Sequence, residues 1–251
     1  MQTSFTVRSF QNRAEMGRAA AADTAACINR LLQEKEHLSM IFAAAPSQNE
    51  FLEALRSDRS IDFRRITAFH MDEYVGLDPQ APQGFGNFLR DRLFSQTNFR
   101  QVHYLNGNAA DPQAECFRYA QLLRENPPDI VCLGIGENGH IAFNDPHVAD
   151  FHDPQAVRCV TLDKVCRTQQ VHDGCFASLE LVPEQALTLT IPTLINARFH
   201  FCIVPGPTKA QAVSNTVAGP IDPSCPASSL RLCENAVLYL DEQSAALLPR
   251  R

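Results

Sequence analysis

The sequence predicts an α/β fold, a single doubly wound, mostly parallel sheet with helices on both faces. Three observations carry that expectation. Short, continuous apolar runs alternate with segments of helical periodicity from one end to the other, the pattern of strands buried on both faces. No linker, internal repeat or low-complexity segment interrupts the alternation, so residues 1–251 read as one domain. The chain is 45% hydrophobic and 20% charged over 251 residues, which supplies a sizeable core.

The elements follow in order. Residues 12–37 are Ala-rich, with Ala, Leu and Ile at helical spacing. Residues 38–43 form an apolar strand, ended by Ala-Ala-Pro-Ser at 44–47, and a helix is expected over 48–55. A strand at 65–69 runs into an acidic segment at 71–77. Helices are expected over 85–94 and 111–124, the second opened by Asp111 as N-cap and Pro112 in its first turn. Further strands are expected at 129–133, 157–162, 186–190, 199–204 and 236–240, with a helix over 208–217. The proline-containing stretch 219–226 reads as a loop.

Charge and cysteine content narrow the partners. With 22 Lys+Arg against 28 Asp+Glu, the net charge of −6 excludes bulk attraction to nucleic acid or an anionic membrane. A small anion needs only a few local cations. No apolar run approaches the roughly 20 residues that span a bilayer. Residues 1–8 show no basic stretch leading into an apolar core, so no secretory signal is expected. Nine cysteines, an odd number without a Cys-x-x-Cys pair, read mainly as small buried hydrophobes in a reducing, cytoplasmic setting.

Ligands of open parallel sheets bind outside the carboxyl ends of the strands. Five places qualify: residues 43–47, 70–74, 134–145, the segment after 162, and 205–209. Residues 134–139 (Gly-Ile-Gly-Glu-Asn-Gly) match a dinucleotide fingerprint, and Asp163 ends a later strand where a ribose-binding carboxylate would be sought. That reading requires a helix at the third glycine, and Pro146 and Pro154 argue against one. The other reading makes the glycines a sharp turn that presents Asn138, His140 and Asp145 in one pocket. His140 then acts as acid or base, with Asp145 fixing its tautomer. Asp72 is either a turn residue or a buried general base. Lys209 at a helix start is mismatched with the helix dipole unless an anion lies between them.

Together these residues resemble the glucosamine-6-phosphate deaminase (isomerase) family over nearly the whole chain. The resemblance rests on Phe-His-Met-Asp-Glu-Tyr-Val-Gly-Leu at 69–77, Leu-Asn-Gly-Asn-Ala at 105–109, the glycine–histidine stretch 134–146 and Val-Pro-Glu-Gln-Ala-Leu-Thr-Leu-Thr at 182–190. The 6-phosphogluconolactonases share the glycine–histidine motif in outline. In those the acidic motif usually reads Asp-Glu-Arg and the histidine precedes Thr-Ala-Ser, so Tyr74 and Ile-Ala-Phe-Asn at 141–144 favour the deaminase side.

The resemblance implies a Rossmann-like fold and isomerisation coupled to loss of ammonia from a 2-amino-2-deoxy-hexose 6-phosphate. It implies Asp72 as the base at C2, His140 as the ring-opening group, Asn138 and Asp145 as the residues that tune it, and Lys209 as a phosphate ligand. Ala45, Ser47, Gln48 and Gly136 fall among the substrate-binding positions, and the amides of Gln48 and Asn49 are offered for phosphate. Arg167 and His172 are candidates for the family's phosphate-binding arginine. No metal or nicotinamide cofactor is implied. Three departures stand out. Asn138 replaces the Asp of the best-known members, Asp145 replaces the usual Glu, and Ala-Ala-Ala-Pro-Ser-Gln-Asn at 43–49 replaces a loop rich in Gly, Ser and Thr. Two rivals remain, a sugar-phosphate lactonase and a non-catalytic sugar-phosphate sensor. A metal set of His140, Asp145, His147 and His152 has the right ligand types at irregular spacing. A homo-oligomer is left open.

Overall fold

The structure is a computed structural model that describes residues 4–249. Residues 1–3 of the segment read for a secretory signal, and residues 250–251 of the expected domain, lie outside the described residues. The strands, in chain order, are β1 (Ser4–Phe10), β2 (Leu38–Phe42), β3 (Ile66–His70), β4 (Asp72–Tyr74), β5 (Gln101–His103), β6 (Ile130–Leu133), β7 (Val157–Thr161), β8 (Gln185–Leu189), β9 (Phe199–Val204) and β10 (Asn235–Asp241). The helices are α1 (Arg13–Glu34), α2 (Asn49–Ser57), α3 (Phe85–Leu89), α4 (Pro112–Glu125), α5 (Lys164–His172), α6 (Ile191–Ile195) and α7 (Ala210–Ala218).

Seven strands form a parallel sheet in the order β1-β10-β9-β6-β2-β3-β5. Its central strands β2, β3 and β6 are buried at every position, and successive side chains enter opposite cores. Met40 and Phe42 pack with Met16, Ile28 and Leu31 of α1 and with Phe51 and Leu55 of α2. Ile41, Val131 and Leu133 pack with Tyr119 of α4, Leu194 of α6 and Val213 of α7. Helices therefore cover both faces, as the apolar runs predict. β2 and β6 are neighbours, with β3 and β5 on one side and β9 and β10 on the other. That reversal of strand order opens a crevice at the carboxyl ends of β2 and β6.

Two expected strands stand elsewhere. Residues 157–161 and 185–189 pair antiparallel with each other, and β8 pairs with β4, giving a small second sheet of order β4-β8-β7. An apolar run encodes burial, not the direction or identity of its partner. The structure adds strands β1, β4 and β5 and helices α5 and α6 to the expected elements. Helix α5 is polar in composition. It forms because Asp163 caps it, its carboxylate accepting the Cys166 N–H at 2.6 Å, and because Cys166, Gln169 and Gln170 present one buried face. Among the described residues, no helix is long and apolar enough to cross a membrane.

Candidate active site

The segments after β2, β3, β6 and β9, together with α5, enclose a small cavity of about 60 Å³. A cavity of about 790 Å³ lies over β1 but is lined by residues such as Phe5, Val7, Val217 and Leu248, with no titratable side chain. The chemistry, not the volume, marks the site.

One end is built by the segments after β2 and β9. Ala43, Ala44 and Ala45 keep the loop slim, and Pro46–Gln48 forms a single 3-10 turn. The Gln48 amide group donates to the Ile203 carbonyl at 3.1 Å and to the Ser47 hydroxyl at 3.1 Å, which ties the loop to the end of β9. The Gln48 N–H donates to Ala45 O, and the Asn49 N–H donates to Pro46 O. Those two amides close the turn, so the expectation that they hold an anion is corrected. Opposite, Gly206 turns with φ +94°, a left-handed conformation natural to glycine, and its N–H is held by the Asp241 carboxylate. This delivers Lys209 into the cavity. Its Nζ is buried and has no hydrogen-bond partner among the described residues. Burial lowers its pKa, with Asp173 and Glu137 pulling in the other direction. A buried cation without a partner is costly and calls for an anion.

The other end is built after β6. The peptide turns at Gly136, whose N–H donates to the His140 carbonyl. A β-carbon at Gly136 would overlap the His140 ring, so this glycine clears space for the histidine. Gly136 lines the cavity, as expected of a substrate-binding position, and also seats His140. The His140 Nδ1–H donates to Asn138 Oδ1 at 2.7 Å, and Asp145 Oδ1 lies 3.1 Å from the same nitrogen. Asn138 Nδ2 donates to Asp145 at 2.9 Å and to Asp163 at 3.0 Å. Burial opposes the charge of Asp145, but hydrogen bonds from His140, Asn138 and the Asp163 N–H outweigh it and hold the carboxyl below its usual range. The proton on Nδ1 is assigned from these acceptors, which leaves Nε2 free to exchange one. Ala142, on the cavity wall, holds φ at +49°, a strained value for a residue with a β-carbon.

Asp72 enters between the two ends. It is 6% exposed, and burial, reinforced by the Glu73 charge, pushes its carboxyl well above the ordinary range. Its backbone is fixed by His70, whose Nδ1–H donates to Asp72 O at 2.9 Å while Nε2 accepts the Leu105 N–H at 2.8 Å. That pairing requires neutral imidazole, and burial lowers the His70 pKa to about 4. Glu73, pointing away, accepts from the backbone N–H groups of Phe85 and Gly86 and so holds the start of α3.

Of the expected residues, Ala45, Ser47, Gln48, Asp72, Gly136, His140 and Lys209 line the cavity, with Asn138 and Asp145 directly behind His140. Arg167 does not reach it. Its guanidinium donates to the carbonyls of Leu179 and Val182, bracing the chain after α5, so its assignment to phosphate is corrected. His172 is exposed beside Glu137 and is likewise outside. Gln169, Gln170, Phe85 and Phe143 line the cavity unforeseen. A capping Asp followed by buried positions at spacing three and four was the available signal for the two glutamines.

Among the described residues, two groups bring metal-ligand atoms within 4.8 Å of one another, His140 with Asp145 and Cys166, and Asp145 with His147 and Asp163. Both Asp145 and Asp163 already accept hydrogens from Asn138, a donor standing where a cation would sit. The donor set fits a hydrogen-bond network better than a metal. His152 belongs to neither group.

The profile of the glucosamine-6-phosphate isomerases/6-phosphogluconolactonase family matches residues 11–239. The chain is 37% identical over 198 residues to the glucosamine-6-phosphate deaminase of Listeria monocytogenes serovar 1/2a, covering 79% of this chain and 82% of that protein. It is 34% identical over 218 residues to that of Exiguobacterium sibiricum, covering 87% and 84%. Among solved structures, a monomeric glucosamine-6-phosphate deaminase superposes with a TM-score of 0.87 at 31% identity, over 96% of this chain and 99% of that one. A 6-phosphogluconolactonase from Thermotoga maritima shares the fold, with a TM-score of 0.77 at 19% identity over 95% and 100%.

Proposed function

The chain belongs to the family of glucosamine-6-phosphate isomerases and 6-phosphogluconolactonases, and we propose that this enzyme converts glucosamine 6-phosphate and water to fructose 6-phosphate and ammonia. One observation carries the reading: a buried carboxyl with a raised pKa shares a cavity with a tautomer-fixed histidine and an unpartnered buried lysine.

Lys209 takes the phosphate, assisted by the Ser47 hydroxyl. Anchored there, the sugar extends toward His140, whose Nε2 moves the proton that opens the ring, while Asp145 stabilises the imidazolium formed. Asp72 removes the C2 proton, giving an enolamine, and returns a proton to C1, giving an imine at C2. Water adds to the imine and ammonia leaves. A carboxylate stripped of water is a stronger base toward carbon than a solvated one, and the raised Asp72 pKa serves that step. Proton transfers and hydrolysis need no redox cofactor. Nine unpaired cysteines support a reducing, cytoplasmic setting.

A lactonase would use His140 to activate water and leave Asp72 without a task. The test assays glucosamine 6-phosphate and 6-phosphogluconolactone side by side. Ammonia and fructose 6-phosphate are expected from the first, with lactone hydrolysis at background. Lactone turnover without ammonia release would reverse the assignment. Ligand-dependent thermal stabilisation without turnover of either would make the protein a sensor.

A further inference from the structure

We propose that Asp163 is a positioning residue for His140, acting through Asn138 and Asp145. The proposal rests on the proton-transfer role given to His140 above. Besides the helical bond from its carbonyl to the Arg167 N–H, three hydrogen bonds meet at Asp163. One carboxylate oxygen accepts the Cys166 N–H at 2.6 Å, the other accepts Asn138 Nδ2 at 3.0 Å, and its own N–H donates to Asp145 Oδ2 at 3.1 Å. Asn138 is thereby oriented. Both hydrogens of its amide are taken by carboxylates, one on Asp145 and one on Asp163, so its carbonyl end must face His140. That oxygen accepts both the His140 backbone N–H at 3.1 Å and the ring Nδ1–H at 2.7 Å.

The consequence is a tautomer held from two residues away. Without Asp163 a flipped Asn138 amide would offer its NH2 group to Nδ1, opposed only by the His140 backbone N–H and the Asp145 carboxylate, and would make Nδ1 an acceptor with the proton on Nε2. Asp163 adds a further restraint against that alternative. The neutrality of Asn138 is part of the device, because a third carboxylate at this position would have no hydrogens to offer Asp145 and Asp163 and would repel both. Asp163 also caps α5, which places Gln169 and Gln170 in the cavity wall. One side chain thus ties the helix that walls the substrate site to the proton position on its histidine.

Asp163→Ser separates the two tasks. Serine caps a helix well, so α5 is retained, but its short side chain carries no charge and does not reach Asn138. Asp163→Asn keeps the shape and sets a donor against one of its two present donor partners. The first readout is the 15N spectrum of the imidazole. Wild type is expected to show Nδ1 protonated and Nε2 unprotonated at His140, and each variant a shift toward the other tautomer. The second readout is kinetic, with kcat for ammonia release down about tenfold, KM within about twofold and a displaced pH profile. Wild-type tautomer and kcat in a folded Ser variant would overturn the proposal. So would a rise in KM at constant kcat, the sign of a purely structural role in the wall. Should Asp163→Ser not fold, the Asp163→Asn spectrum decides, with an unshifted tautomer counting against the proposal. A wild-type protein that releases no ammonia would sink the deaminase reading, yet the spectra would still decide the role of Asp163.

Discussion

The two ends of the cavity are built on opposite principles. At the histidine end every polar group but Nε2 of His140 is committed: Nδ1 of His140, both ends of the Asn138 amide and both oxygens of Asp145 have partners within 3.1 Å. At the lysine end Nζ of Lys209 is buried with none among the described residues. In a satisfied network the hydrogen bonds offset the cost of burial and fix geometry before substrate arrives. An unpartnered charge destabilises the free protein and is relieved when an anion binds. On the proposed function, the difference separates the end that does chemistry from the end that waits for the ligand to complete it.

The comparison is broken most severely at Asp72, between the ends. Asp72→Asn should lower ammonia release at least about 1000-fold, since it removes the base while keeping the shape. It should also raise the melting temperature at neutral pH. A carboxyl whose folded pKa lies above its usual 3.8 favours the fold when protonated, so that contribution is lost as pH rises through the folded value, and the uncharged amide avoids the loss. Calorimetric melts of both proteins at pH 7 check this.

At the histidine end, Gly136→Ala drives a methyl group into the His140 ring. Turnover should fall about 100-fold with inorganic phosphate binding intact, measured by thermal shift. At the lysine end the pattern inverts. Lys209→Met should raise KM about tenfold or more with a smaller change in kcat, and should stabilise the free protein. Because burial lowers the Lys209 pKa below 10.5, wild-type phosphate affinity should decline in the alkaline range before an exposed lysine would lose its charge. The smallest effect belongs to Arg167. Arg167→Met should leave KM within about twofold and cost roughly 1–2 kcal/mol of stability, read from urea titration, because it leaves the Val182 carbonyl without its side-chain donor and the Leu179 carbonyl with only the Val182 N–H.

Much of this is legible in the sequence, and the limits are physical. Strands buried on both faces are apolar at nearly every position, so β2, β6 and β9 declare themselves despite Ser39 and His200. Val157–Thr161 and Gln185–Leu189 look the same, and only the folded chain shows that they pair antiparallel outside the main sheet. His140 and Asp145 lie five residues apart and are read as a pair. The contact between Asn138 and Asp163 spans 25 residues and leaves no local trace. Arg167 is a cation near the site in sequence, and nothing local reveals the two carbonyls that occupy it. Lys209 is the converse: its mismatch with a helix start is visible in sequence, and the structure supplies the burial that gives the mismatch meaning.

The most direct test is a crystal structure of the Asp72→Asn protein soaked with glucosamine 6-phosphate, which the variant should bind and not consume. The account predicts the phosphate within about 3 Å of Lys209 Nζ, C2 within about 3.5 Å of the residue 72 side chain, and the ring oxygen at His140 Nε2. A sugar phosphate held away from Lys209, or one whose C2 is remote from residue 72, would contradict it.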